Sequence, residues 1–189
     1  MNNGWTRNAR ARSALCLAAS LLAGSIGCAH ADADSERRAG DVLHIALPLA
    51  TLGAELMRGE REGAWQYATA LTASALANEA LERMAHVERP DHSNFHSFPS
   101  GHATLAFSSA TYVHRRYGLE YAWPLYAAAT YVGYTRVRSH RHRWGDVAGG
   151  AALAGGMSWW LVQPKASQQV TVLPVILDRG FGVVVQASW

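Results

Sequence analysis

Apolar residues recur every three or four positions along most of the chain after residue 40, which is the period of an amphipathic helix. Five segments show this pattern, at residues 41–57, 64–88, 100–117, 121–137 and 144–162. The apolar positions of the first segment are Val42, Ile45, Leu49, Leu52 and Leu56. The pattern predicts an all-α fold, a helical bundle of five to six helices, with a kink or a break at the proline in the first segment.

Residues that interrupt or stop helices lie between these segments. Residues 59–63 form a polar turn, and Gly118 is a stop signal after the third segment. The pair Arg89-Pro90 ends the second segment, because the residue before a proline disfavours helical backbone angles. Residues 32–38 are polar, and we expect them to form a loose lead-in to the first helix. The helical domain is therefore expected over residues 32–165.

The end of the chain follows a different pattern. Two stretches rich in β-branched residues, 170–173 and 182–186, flank a turn signal at residues 178–180. This arrangement predicts a short C-terminal β-hairpin within a tail that covers residues 166–189.

The first 31 residues have the pattern of an export signal. Arginines at positions 7, 10 and 12 precede an apolar stretch, and Ala29-His30-Ala31 comes directly before polar residues. This order is typical of a cleaved signal peptide over residues 1–31, so the mature chain is expected to begin near Asp32. A retained anchor helix and lipid attachment at Cys28 are the alternatives.

Export limits the chemistry that remains possible. Both cysteines, Cys16 and Cys28, lie in the signal segment, so the mature chain would contain no disulfide and no thiolate ligand. We expect either a periplasmic protein or an inner-membrane protein whose site faces the periplasm.

Charged residues are scarce. They make up 16% of the chain and apolar residues 49%, whereas a typical globular protein is about 25% charged. The formal charge of +3 comes from the three arginines of the signal segment, so nothing in the composition indicates a nucleic-acid partner. This composition is consistent with a soluble helical bundle and with a membrane-embedded one. The scarcity of charged residues in the helices favours membrane association.

Two kinds of residue are suited to binding an anion. Pro99-Ser100-Gly101-His102 places small residues at the start of a helix, where unpaired backbone N–H groups favour a negative charge. Arg89 and Arg136 lie at predicted helix ends, and an arginine can hold a phosphate through two parallel N–H bonds.

Two histidines and a carboxylate are candidates for the catalytic groups that would act on a bound anion. His142 and Asp146 are four residues apart, so on one helix face the carboxylate would hold one ring nitrogen. The other nitrogen would then be free to attack. His102 is a candidate acid for the leaving oxygen.

Together these segments resemble the signature of the type 2 phosphatidic acid phosphatase superfamily, which also contains bacterial acid phosphatases and vanadium haloperoxidases. That signature has a Lys, six residues and Arg-Pro, then Pro-Ser-Gly-His, then Ser-Arg, five residues, His, three residues and Asp. Here Arg89-Pro90, residues 99–102, and the set Arg136, His142 and Asp146 match it at the required spacing. The resemblance spans residues 41–162.

The resemblance implies a phosphatase that requires no metal or other cofactor. His142 would attack phosphorus and become a phosphohistidine, Asp146 would orient it, and His102 would protonate the leaving group and later activate water. The groups that would hold the phosphoryl oxygens are Arg89, Ser100, Gly101 and Arg136. Because the protein is exported, we expect an envelope substrate, a phosphorylated lipid or a small phosphoester, including a pyrophosphate.

Two positions depart from the signature. Thr135 replaces its Ser and keeps the hydroxyl, but Glu82 stands where the signature has Lys. A carboxylate repels a phosphate, and one lost donor can cost about 3–4 kcal/mol in the transition state. Arg83 is adjacent but lies about 100° around the helix. The other cations that could supply the missing charge are Arg138, Arg141 and Arg143.

Three other interpretations stay open. Glu82 motivates a catalytically weakened protein that binds a phosphorylated ligand with little turnover. The same anion site could hold vanadate in a vanadate-dependent haloperoxidase. A metal site could also form from histidines whose spacing is a weak signal of metal binding, namely His92, His96, His140 and His142.

Overall fold

Five helices form the domain that carries the site. The computed structural model describes residues 33–165, 169–177 and 180–188, so the predicted signal peptide lies outside the described residues. The helices are α1 (Ala33–Met57), α2 (Arg61–Ala85), α3 (Gly101–Tyr117), α4 (Leu119–Arg138) and α5 (Trp144–Leu161). The predicted all-α bundle is confirmed for residues 33–165.

α1 begins at Ala33, so the expectation of a loose lead-in over residues 32–38 is wrong. The polar residues there favour a helix start, because a carboxylate such as Asp34 in the first turn interacts well with the positive end of the helix. Arg37 adds ion pairs to Asp34 at 3.7 Å and to Asp41 at 3.8 Å. These pairs have the three- and four-residue spacing that stabilises helices.

α2 ends at Ala85, earlier than predicted. His86 adopts a left-handed conformation with φ of 48°, which terminates the helix. Arg89 therefore lies in the loop between α2 and α3, where its backbone N–H donates to Asn94 O at 2.9 Å, rather than at a helix end.

α3 is the central helix and contacts each of the other four. Small side chains allow this close approach, since Ala103, Ala106 and Ala110 are fully buried. At Gly150 of α5, a side chain would collide with Thr104 of α3. The small residues therefore bring the first turns of α3 and α5 together.

The helices alternate in direction, so α1, α3 and α5 begin at the same end of the bundle. His102 at the start of α3 contacts Asp41 of α1, and the backbone N–H of Ser100 donates to Asp146 O in α5. Arg136, near the end of α4, also contacts Asp41. Three helix N-termini therefore converge, and their partial positive charges favour an anion at this end.

α1 buries two polar side chains and leaves several large apolar ones exposed. Thr51 and Glu55 are buried, whereas the predicted apolar stripe is more than half exposed at Val42, Ile45, Leu49 and Leu56. Asp34–Met57 is the one helix in the described part of the chain long and apolar enough to cross a membrane. Core helices and signal sequences can meet the same criterion.

Beyond the helical domain, two strands, β1 (Gln169–Leu177) and β2 (Gly180–Ser188), pair antiparallel. Their side chains lie outside the described residues. The confirmed part of the predicted fold is the five-helix domain, and the C-terminal β-hairpin stays a prediction.

Candidate active site

Four arginines and two histidines line a cavity of about 150 Å³ at the end of the bundle where α1, α3 and α5 begin. They belong to three helices and two loops, and they are Arg37, Arg89, His102, Arg136, Arg141 and His142. Four of these, His102, His142, Arg89 and Arg136, are residues that the sequence predicted for the site. The fold therefore brings three distant segments of the chain to one cavity.

His142 lies in the loop between α4 and α5 and is 4% exposed. Its Nδ1 lies 2.8 Å from the carbonyl oxygen of Ser97. Since a carbonyl can only accept, Nδ1 carries the proton and Nε2 keeps a free lone pair. Burial lowers the pKa of His142, and Arg89 and Arg136 act in the same direction. The neutral ring is therefore suited to nucleophilic attack through Nε2.

Asp146 does not make the direct hydrogen bond to His142 that the spacing predicted. Its Oδ2 lies 3.9 Å from His142 Nδ1, because α5 begins only at Trp144 and His142 precedes it. The carboxylate instead accepts from the Ser97 hydroxyl at 2.6 Å and from the backbone N–H of Arg143 at 2.7 Å. Ser97 therefore connects the two, because its carbonyl holds His142 and its hydroxyl is bound by Asp146.

His102 lies in the first turn of α3, and its Nε2 is 3.2 Å from Asp41 Oδ1. The His44 ring packs against it, with ring centroids 3.9 Å apart. Burial lowers the pKa of His102 to about 4, His44 and Arg136 add to this effect, and Asp41 opposes it. The ring is therefore neutral at neutral pH in these surroundings, and a bound phosphate dianion would favour its protonated form.

Arg136 is held in place by α1. Its Nη1 donates to Asp41 Oδ1 at 2.7 Å, and its Nη2 donates to the Arg37 carbonyl at 2.7 Å. Its Nε donates to Thr135 Oγ1 at 3.3 Å, so two of its five N–H groups remain for a ligand. α1 comes this close because Gly40 has no side chain, and a Cβ there would collide with Thr135 and Arg136.

Ser100 and Gly101 lie beside the cavity and are not among the residues that line it. Ser100 is fully buried, and its hydroxyl has no partner among the described residues. Gly101 faces α2, where a Cβ would lie 3.3 Å from Asn78 Nδ2 and 3.5 Å from Glu82 Oε1. The missing side chain thus accommodates α2, and the phosphate contacts predicted for both residues stay predictions.

Glu82 lines a second cavity, of about 230 Å³, between α2 and α3. Asn78 Nδ2 donates to its Oε1 at 2.8 Å. Burial raises the pKa of Glu82, although this hydrogen bond acts in the opposite direction. The carboxylate that replaces the signature lysine is therefore directed into a different cavity from the one that the arginines line.

Two cations outside the signature line the arginine-rich cavity, Arg37 and Arg141. The other candidates for the missing charge are engaged elsewhere. Arg83 is 72% exposed and pairs with a glutamate of its own helix, and Arg138 pairs with a glutamate of α1. Arg143 donates to a backbone carbonyl in the loop before α3.

The histidines considered as metal ligands do not come together. His142 is buried in the cavity wall, whereas His92 is exposed and bonded to Glu88. In the part of the chain that the structure describes, no three His, Cys, Asp or Glu side chains are placed to hold a metal ion.

Four residues at the site were not predicted from the sequence, namely Arg37, Asp41, His44 and Ser97. Asp41 contacts His102 and Arg136, which are 61 and 95 residues away, so no local pattern connects them. The polar residues of α1 at positions 37, 41 and 44 do share one helical face, which was an available signal. Ser97 holds His142 through a backbone carbonyl, which every residue has.

Comparisons with known proteins identify the family to which the chain belongs. The sequence model of the PAP2 superfamily matches residues 63–167, more than half of the chain. A lipid A 1-phosphatase of Porphyromonas gingivalis is 38% identical over 79 residues, 39% of this chain and 18% of that protein. A lipid A 4′-phosphatase of Helicobacter pylori is 30% identical over 105 residues, 50% of this chain and 53% of that protein. The chain thus spans about half or less of each relative.

One solved structure is similar in fold. A crystal structure of Aquifex aeolicus LpxE superimposes with a TM-score of 0.51, at 21% identity, over 65% of this chain and 84% of that one. At that level of identity the likeness concerns the fold alone.

Proposed function

Because the chain belongs to the PAP2 superfamily, we propose that it is a phosphatase that releases phosphate from an envelope lipid through a phosphohistidine on His142. One observation carries the proposal. His142 lines an arginine-rich cavity with Nδ1 bound to a carbonyl and Nε2 free. Arginines and helix N-termini supply the positive charge that a metal supplies in other phosphatases, so no metal cofactor is required.

In the first step, Nε2 of His142 attacks phosphorus, and the bond between phosphorus and the leaving oxygen breaks. His102 gives a proton to that oxygen, so the alcohol or phosphate leaves with its oxygen protonated. Arg89 and Arg136 bind the phosphoryl oxygens as charge develops on them. Asp146 acts through Ser97, whose carbonyl keeps the proton on Nδ1 as His142 becomes positively charged.

In the second step, His102 is neutral and accepts a proton from water. The resulting hydroxide attacks phosphorus, and the bond between phosphorus and Nε2 breaks. His142 returns to its neutral form, and inorganic phosphate leaves the cavity. The lowered pKa of His102 suits this base role, while the charge of a substrate dianion favours the proton that the first step needs.

A phosphorylated lipid fits the surface around the site better than a soluble phosphoester does. The exposed apolar residues of α1 begin at Val42, next to Asp41, and Asp41 contacts His102. Trp65, Trp159 and Trp160 are exposed aromatic residues of the kind found at membrane interfaces, but they lie at the opposite end of the bundle, and Tyr67 is fully buried. Both similar curated proteins are named as lipid A phosphatases, so phosphorylated lipid A is the first substrate to test.

The test compares lipid phosphates with soluble phosphomonoesters, using the full chain purified in detergent. We expect phosphate release from a lipid phosphate or lipid pyrophosphate, in the presence of a strong chelator. The variant His142→Ala should lose about 10⁴-fold or more of this activity, as removal of a nucleophile does in other hydrolases.

A matched control is His140→Asn, because His140 is exposed two residues away and has a positive φ that Asn tolerates. This variant should keep its activity. If wild-type protein released no phosphate from any lipid or soluble phosphoester, the proposed function would be contradicted.

A further inference from the structure

We propose that Arg37 of α1 is a phosphate-binding residue that supplies the positive charge missing at Glu82. This inference rests on the proposed function and identifies a group of that site that lies outside the signature. Arg37 lines the same cavity as His142, Arg89 and Arg136, although it precedes the matched family region in the chain.

The Arg37 side chain is placed to bind a ligand. It is 39% exposed, and its ion pairs are long, 3.7 Å to Asp34 and 3.8 Å to Asp41. No side-chain hydrogen bond from its guanidinium to the rest of the described chain holds it. A phosphate could therefore replace these long ion pairs, because an arginine can bind it through two parallel N–H bonds.

The backbone of Arg37 is fixed while its side chain is not. Its carbonyl accepts from Arg136 Nη2 at 2.7 Å, and Gly40, one turn later, packs directly on Arg136 and Thr135. The first turns of α1 are thus docked on a residue that the signature assigns to phosphate binding. A docked backbone with a loosely held cationic side chain is suited to closing on an anion.

The charge balance of the cavity also favours a role for Arg37. Asp41 brings a carboxylate within 3.2 Å of His102 and 2.7 Å of Arg136, where it opposes binding of a phosphate dianion. Arg37 offsets this carboxylate. The other cavity arginine outside the signature, Arg141, is paired with Asp91 at 3.3 Å.

The experiment compares three variants of the full chain, Arg37→Gln, Arg37→Lys and Arg38→Gln. Arg38 is the neighbouring residue, exposed and not part of the cavity, so Arg38→Gln removes the same charge from the same helix. Gln keeps the backbone carbonyl and has a helix propensity close to that of Arg. The readouts are calorimetric binding of inorganic phosphate and of vanadate, together with kcat and KM on the best lipid phosphate.

We expect Arg37→Gln to weaken phosphate and vanadate binding about 10-fold and to lower kcat/KM at least as much, since the lost cation is partly solvated. Arg37→Lys should recover most of the affinity because it keeps the charge. Arg38→Gln should bind and react like the wild type. Equal affinities for Arg37→Gln and Arg38→Gln would overturn the proposal, as would Arg37→Lys binding no better than Arg37→Gln.

Failure of the proposed function is distinguishable from failure of this inference. If the wild type binds phosphate but turns over no phosphoester, the binding series alone decides the role of Arg37. A wild type that binds neither phosphate nor vanadate overturns it. Thermal unfolding of each variant, followed with and without phosphate, shows whether a loss reflects binding or folding.

Discussion

The proposed mechanism requires opposite protonation behaviour of His142 and His102, although burial lowers the pKa of both. His142 needs a free lone pair, and the carbonyl of Ser97 provides it by holding the proton on Nδ1. In the proposed mechanism His102 carries a proton when substrate is bound and loses it afterwards. Burial, His44 and Arg136 favour its neutral form, so the charge of the substrate itself would control the proton.

The pKa of His102 makes the stability of the empty protein depend on pH. In the unfolded chain a histidine has a pKa of about 6.5, whereas in the fold the value is about 4. Between these values the unfolded state binds more protons, so stability falls as pH drops from 6.5 towards 4. A third of the side chain is exposed, and with solvent screening we expect a loss of about 1–2 kcal/mol.

The measurement is the free energy of unfolding of phosphate-free protein between pH 7.5 and 4.5. His102→Asn should have a shallower pH dependence than the wild type because the titrating group is gone. Identical slopes for the two proteins would show that His102 titrates in the fold as it does in the unfolded chain.

At the scale of the element, α1 contributes residues to the site, which the sequence did not predict. The periodicity identified the helix correctly, but four of the five residues of its apolar stripe are exposed, and polar residues such as Asp41 reach the site. Gly40 permits this contact, whereas Gly53 on the same helix has open space where a Cβ would stand. The two glycines form a matched pair for testing the contact between α1 and α4.

Gly40→Ala should destabilise the protein by about 1–3 kcal/mol, because its methyl group collides with Thr135 and Arg136. It should also weaken phosphate binding, since Arg136 is displaced. Gly53→Ala should stabilise α1 by up to about 1 kcal/mol, the difference in helix propensity. Chemical denaturation and phosphate titration of both variants check this, and equal effects at the two positions would contradict the close contact at Gly40.

At the scale of the whole molecule, the bundle has a second polar cluster far from the site. Glu55 of α1 is 1% exposed and accepts from the Tyr117 hydroxyl at 2.8 Å, near Arg116 at the end of α3. Asp41 and Glu55 are 14 residues apart on one helix, which is roughly 20 Å. The site and this cluster therefore lie towards opposite ends of α1 and α3.

Glu55→Ala should lower stability by roughly 1–3 kcal/mol, because it leaves the Tyr117 hydroxyl without its acceptor at a position that is 1% exposed. At a temperature where the variant stays folded, kcat and KM should match those of the wild type, since the site is at the other end. Glu62→Ala, an exposed glutamate at the same end, is the control and should change stability by less than about 0.5 kcal/mol. A fall in kcat for folded Glu55→Ala would show that the two ends are coupled.

The helices and most of the signature residues were predictable because both depend on local information. Helical periodicity and stop signals depend on residues close together in the chain. The errors were at helix ends, because α1 begins earlier than predicted, near Asp34, and α2 ends earlier than predicted, before His86. The spacing of His142 and Asp146 was local too, yet the predicted bond failed because α5 starts two residues after His142.

The sequence by itself determined the five helices, the family, and the presence of His102, His142, Arg89 and Arg136 in one site. Only the tertiary structure decided that Glu82 lines a separate cavity and that Arg37 and Asp41 of α1 reach His102 and Arg136. The reason is physical. Periodicity in the sequence shows which residues share one face of a helix. Which other helix packs against that face depends on how closely two helices can approach, and here Gly40 permits the approach.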